Sequence, residues 1–172
     1  MNNSIVLTII SEDRPGIVQK VSSTLSKHGG NWTQSSMSTL AGQFAGILLA
    51  SVPATSADAC LADLRDLEDQ GIHLTAEICD DAPVTGKTWE YSLELVGNDQ
   101  PDIVHTITKL LANHQISVQE FESSVESGSM AGGSIFRAQA KLHVPETIDI
   151  GDLETELEAL ANDLMVEINF ER

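Results

Sequence analysis

The chain has 172 residues, 41% of them apolar and only 4% aromatic, enough for one ordinary core or two small ones built from Ile, Leu, Val and Ala. Its 9 Lys and Arg stand against 26 Asp and Glu, a formal net charge of −17 that works against direct contact with nucleic-acid phosphates or anionic membranes. Cys60 and Cys79 form neither a disulfide framework nor a zinc pattern, no basic-then-apolar leader opens the chain, and no apolar run approaches the ~20 residues that cross a bilayer, so a cytosolic protein is expected.

In chain order, Ile5, Leu7 and Ile9 alternate at the period of a sheet face and predict a strand over roughly Ser4–Ile10. "DRPG" follows. Proline is favoured at a first helical position, so a helix is expected from near Pro15, with Asp13 placed to cap it. Ile17, Val18, Val21 and Leu25 make its apolar stripe, and Gly29-Gly30 stop it. "NWTQSSMSTL" and "QFAGILLASV" read as a hairpin turning near Ala41-Gly42. "TSADACLADLRDLEDQG" is a second amphipathic helix with Ala57, Leu61, Leu64 and Leu67 facing in. Gly71 ends it, and "IHLTAEI" is the last strand of this half.

The chain then repeats itself. With Pro15 on Pro101, an offset of 86, Ile17 meets Ile103, Val18 meets Val104, Val21 meets Ile107, Leu25 meets Leu111 and His28 meets His114. Ile5, Leu7 and Ile9 fall on Tyr91, Leu93 and Leu95. Beyond a Gly/Ser-rich insertion at Glu126–Ser134 the offset becomes 92, and Val52-Pro53 meets Val144-Pro145. The expected organisation is a first domain over 1–80, a linker over 81–88 and a second domain over 89–172. Each copy reads βαββαβ, the ferredoxin-like motif. The fold class is therefore α+β, two tandem antiparallel sheets with helices on one face. The short linker and the exposed sheet edges favour packing of the two copies as a pair.

The first turn has a chemistry of its own. The leading N–H groups of a helix lack intrahelical partners and carry partial positive charge, so a carboxylate is a natural guest. Gly16 has no side chain and admits a close approach, and Asn31 and Trp32 could bring an amide and a strand edge beside the turn. A purely structural role fits the same residues: Asp13 as cap, Gly16 as an aid to helix packing.

"DRPGIV" followed by "GGNW", in a βαββαβ copy, resembles the ACT domain, a module that binds amino acids and regulates other proteins. The layout of two copies and almost nothing else is similar to the glycine cleavage repressors of that family. The resemblance implies that an amino acid lies between this turn in one copy and a strand of a paired copy. It names Asp13, Arg14, Pro15, Gly16, Ile17, Asn31 and Trp32 in the first copy. In the second it names Asp99, Gln100, Pro101, Asp102, Ile103, Ser117 and Val118. There Gln100 and Asp102 stand where Arg14 and Gly16 stand, and Gln115-Ile116 replace Gly29-Gly30. The resemblance further implies a regulatory protein and no enzyme. Its ligand would be a small amino acid, glycine foremost, and its protein partner a DNA-binding transcriptional activator. Self-association is common among such proteins. The alternative is an amino-acid-binding module that modulates a metabolic enzyme.

Other motifs are weaker. "TGKT" (Thr85–Thr88) lacks the first glycine of a phosphate loop, with Asp81 in its place, and a strand follows it. "GSMAGG" (Gly128–Gly133) reads as a surface loop in a hairpin. His28 and His114 recur at a helix end, where they suit the negative end of the dipole. The scattered histidines give no zinc spacing, and no nucleophile elbow or acid–base pair appears, so neither metal, cofactor nor catalytic residue is expected.

Overall fold

The structure, a computed structural model, describes residues 1–79, 86–127 and 133–172. The chain forms two compact units, Met1–Pro83 and Val84–Arg172. The first contains β1 (Asn2–Glu12), α1 (Ile17–Lys27), β2 (Asn31–Leu40), β3 (Gln43–Pro53), α2 (Ala57–Arg65), a 3-10 turn (Asp66–Gln70) and β4 (Ile72–Cys79). The second contains β5 (Thr88–Asn98), α3 (Ile103–Asn113), β6 (Ser117–Ser127), β7 (Ser134–Pro145), α4 (Ile150–Leu164) and β8 (Val166–Glu171). The sheets run β2-β3-β1-β4 and β6-β7-β5-β8, with every neighbouring pair antiparallel. The expected α+β class and the tandem βαββαβ order are both present. The hinge expected at 81–88 lies outside the described residues up to 85, as does the loop over 128–132.

Alternation on the central strands builds each core. Ile5, Leu7 and Ile9 are buried beneath α1 and α2 with Leu48, Ala50 and Val52 from β3. Leu93 and Leu95 take the same place in the second unit with Ala138, Ala140 and Leu142. The inward residues of the second helix are as read, and Cys60 joins them; burial pushes its thiol up, away from reactivity. Val18 departs from its expected stripe and is 43% exposed. With the helix beginning at Ile17, the seam runs Ile17, Val21, Leu25 at steps of four, and Val18 rotates off it.

The start of α1 also differs from the sequence reading. It begins at Ile17 rather than near Pro15, because Gly16 sits in the left-handed region at φ 94 and interrupts the helical run. Pro15 is therefore a turn residue, and no side chain caps α1, so Asp13 is not its cap. The helix end is as expected. Gly29 is left-handed at φ 70, with its N–H on the Ser26 carbonyl and that of Gly30 on the Leu25 carbonyl. Gln115 adopts the same conformation at φ 56, with the Ile116 N–H on the Leu111 carbonyl, so loss of both glycines leaves this stop intact.

Candidate ligand-binding site

The turn between β1 and α1 is held from two sides. The Asp13 N–H donates to the Gly42 carbonyl at 2.9 Å, and the Asp99 N–H repeats this on Ser134 at 2.8 Å. The Arg14 guanidinium donates to the Gln70 carbonyl at the end of the 3-10 turn. Gln100 does the same in the second unit, its Nε2 donating to the Leu164 carbonyl at 2.6 Å. Both carbonyls precede a left-handed residue, Gly71 or Met165, where a helix leaves its last acceptors open. Position 14 and its counterpart are thus clamps on the end of the second helix, and Arg and Gln serve equally. Arg14 is exposed and has further donors for a ligand beside this one.

The helix start itself is open. The first intrahelical bond runs from the Lys20 N–H to the Gly16 carbonyl at 3.0 Å, so the N–H groups of Ile17, Val18 and Gln19 precede it. No side chain caps them, and the first turn of α1 holds no acid. By contrast, Asp149 caps α4 through the Gly151 and Asp152 N–H groups at 2.9 and 3.2 Å. A Cβ built on Gly16 meets no atom within 4 Å. Gly16 therefore serves no packing role; it supplies the positive φ and leaves the ground before the helix clear. Asp102 holds the same conformation at φ 67. It places a negative charge where Gly16 places none, which opposes an anionic guest.

Ile17 and Ile103 are 3% exposed, so their side chains belong to the cores and only their N–H groups face the turn. Asp13, Pro15, Asp99 and Pro101 are exposed. Asn31 and Trp32 do not join them, which corrects the expectation that they lie beside the turn. Asn31 pairs with Ser51, and Ser51 with Ser4, whereas the turn follows Glu12. Eight residues of β1 separate the two levels, roughly 26 Å. The reason is topological: α1 runs back along β1, so the strand after it starts at the far end of the sheet. Trp32 packs against the first core and its indole N–H donates to the Ser35 hydroxyl at 3.2 Å. Ser117 and Val118 are displaced in the same way, since Ser117 lies level with Glu90 at the start of β5. Within one unit, then, the candidates fall into two groups at opposite ends of the sheet.

A second repeated contact was hidden in the sequence. His28 Nε2 lies 2.9 Å from the Asp63 carboxylate on α2, which Lys27 reaches at 2.5 Å. His114 Nε2 lies 3.1 Å from Glu156 on α4. The repeat of the histidines was visible, but their partners emerge only when the two helices of a unit pack together. The hydrogen bond from Lys27, then that from His28, holds the Asp63 carboxyl below its ordinary value of 3.8. A depressed carboxyl stabilises the fold above its unfolded pKa, and this contribution fades as pH falls through the folded one. Asp63→Asn is expected to destabilise at neutral pH by an amount that shrinks below pH 3.8, measured by urea denaturation across the acid range.

Among the described residues no helix is long and apolar enough to cross a membrane. The family model for the ACT domain matches residues 3–77. No curated protein sequence matches the chain. An unknown protein from Galdieria sulphuraria superposes with a TM-score of 0.89 at 26% identity, covering 99% of this chain and 98% of that one. A solved structure named for a glycine cleavage system transcriptional repressor superposes with a TM-score of 0.69 at 19% identity, covering 100% of this chain and 99% of that one. The ACT-domain model thus falls on the first unit, and the second unit repeats that unit's βαββαβ order and sheet topology.

Proposed function

We propose that this chain is an amino-acid-responsive regulator whose first turn holds the carboxylate of a small amino acid, glycine foremost. In this reading it represses the glycine cleavage system through a DNA-binding activator and does not grip DNA itself. The observation that carries the reading is the start of α1: left-handed Gly16, three leading N–H groups, no capping side chain, no acid in the first turn and clear space before it. The ligand's carboxylate lies on the N–H groups of Ile17 to Gln19, with Asp13, Arg14 and Pro15 around it. Asn31 and Trp32 stand too far away in the same unit, so a strand start must come from another ACT unit to complete the site. The second turn, Asp99 to Ile103 with Ser117 and Val118, is the lesser site because of Asp102. The pathway follows the name of the structural relative, and action through an activator follows from the charge of the chain.

Charge supports action through a partner. A chain at −17 with 9 basic residues repels a phosphate lattice and cannot easily assemble the six to ten phosphate contacts of a strong binder. Each unit's helices lie over its sheet, so none of the helices among the described residues is free to enter a major groove. In a mobility-shift titration on a glycine cleavage promoter, the chain alone is expected to give no shift and to alter the shift given by the activator. A specific shift by the chain alone at physiological salt overturns the reading. Copurification of a metabolic enzyme in place of a DNA-binding regulator does so too.

A further inference from the structure

Each sheet has one face beneath its helices and one without them, and the two open faces differ in kind. In the second unit the open face is charged: Glu94 on β5 and Arg137 and Lys141 on β7, with Lys141 ion-paired to Glu120 at 2.8 Å and Arg137 to Glu126 at 3.7 Å. This is the polar-out alternation of a sheet facing water. In the first unit the counterparts of Glu94, Arg137 and Lys141 are Thr8, Ala45 and Leu49, and Val6, Ile10 and Ile47 stand where the second unit has Ser92, Val96 and Gln139. Ile10 is 56% exposed and Ile47 51%. The fold is common to both units, so it does not itself require an apolar open face.

We infer that the open sheet face of the first unit, centred on the cross-strand pair Thr8–Ile47, docks against the same face of a second copy of this chain. Charge selects the occupant. On a chain of net charge −17 with 26 acids, this face carries two, Glu12 at the end of β1 and Glu77 on the flanking strand β4, where its neighbours are His73 and Thr75. A basic partner finds little to pair with on it. Two acidic chains, however, meet here with the least repulsion, and the meeting withdraws apolar surface from water. A twofold arrangement sets the patch on itself, so that Ile47 approaches its own counterpart. Four strands about 4.8 Å apart and some six residues at about 3.3 Å give a footprint of roughly 400 Å² per copy. The two footprints together, about 800 Å², are roughly half of a standard specific interface, so the dimer is of the weak, transient kind and concentration-dependent. Salt strengthens it by screening the chains' repulsion, whereas it would weaken an assembly held by opposite charges.

The test is sedimentation velocity on the full chain over about a hundredfold concentration range bracketing micromolar, at low and high sodium chloride. The wild type is expected to form more dimer as concentration and salt rise. Ile47→Glu and Ile47→Lys, which alter an exposed position and are checked for unchanged circular dichroism, are each expected to weaken association at least tenfold. An equimolar mixture of the two is expected to recover the dimer, because opposite charges then meet across the twofold. A wild type that stays monomeric throughout overturns the inference, whatever other protein it binds. So do single variants that dimerise like the wild type, or a mixture that stays monomeric.

Discussion

Gly16→Val is expected to abolish amino-acid binding at the first turn while lowering stability by about 1–2 kcal/mol, the cost of holding a residue with a Cβ in the left-handed region. The two effects have separate causes. Gly16 sits at φ 94, which a β-branched residue adopts only under strain. Apart from its chain neighbours, no atom of the described residues lies within 4 Å of a Cβ at this position, so the added side chain disturbs no packing there and is expected to crowd a carboxylate seated on the turn. Gly16→Asn isolates the second effect. Asparagine tolerates this conformation, so the variant should keep near-native stability and still lose affinity. Calorimetry with the bound amino acid reads the affinities, and urea denaturation reads the stabilities. Unchanged affinity in a folded Gly16→Val chain removes the turn from the site.

Leu7→Ala is expected to cost about 2–5 kcal/mol, the range for truncating a fully enclosed leucine. Leu7 is 0% exposed at the centre of β1, beneath both helices, with Leu48 and Ala76 on the strands beside it. Leu93 occupies the repeated position at 2% exposure, and Leu93→Ala is expected to cost an amount in the same range. Equilibrium denaturation in urea checks both. A cost under about 0.5 kcal/mol at either position, typical of surface sites, contradicts the assigned core.

The repeat made most of the fold legible. An offset of 86 carried the alternation of Ile5, Leu7 and Ile9 onto β5 and the seam of α1 onto α3. Local signals failed where the decisive contact was remote. Asp-Arg-Pro-Gly reads as a cap followed by proline in the first helical turn. The structure instead spends Gly16 on a positive φ and sends Arg14 to a carbonyl of Gln70, far along the chain. The link from His28 to Asp63 needed the packing of α1 on α2, which no single stretch encodes. The displacement of Asn31 and Trp32 was derivable, since a helix returning antiparallel to its strand must deliver the next strand to the opposite end. The contrast between the open faces was also written locally. "ILL" at Ile47–Leu49 puts apolar residues on both sides of β3, while "RAQAKLH" at Arg137–His143 alternates without a break.

In the proposed function the start of α1 holds the carboxylate of a small amino acid. The most direct measurement is an amide-resolved NMR titration of the full chain with each of the common amino acids, glycine first. Saturable shifts are expected at the N–H groups of Ile17, Val18 and Gln19, larger than those at Ile103, Val104 and His105. Titrations that leave these first three amides unmoved while the chain stays folded, or that saturate only at amides elsewhere, contradict this placement.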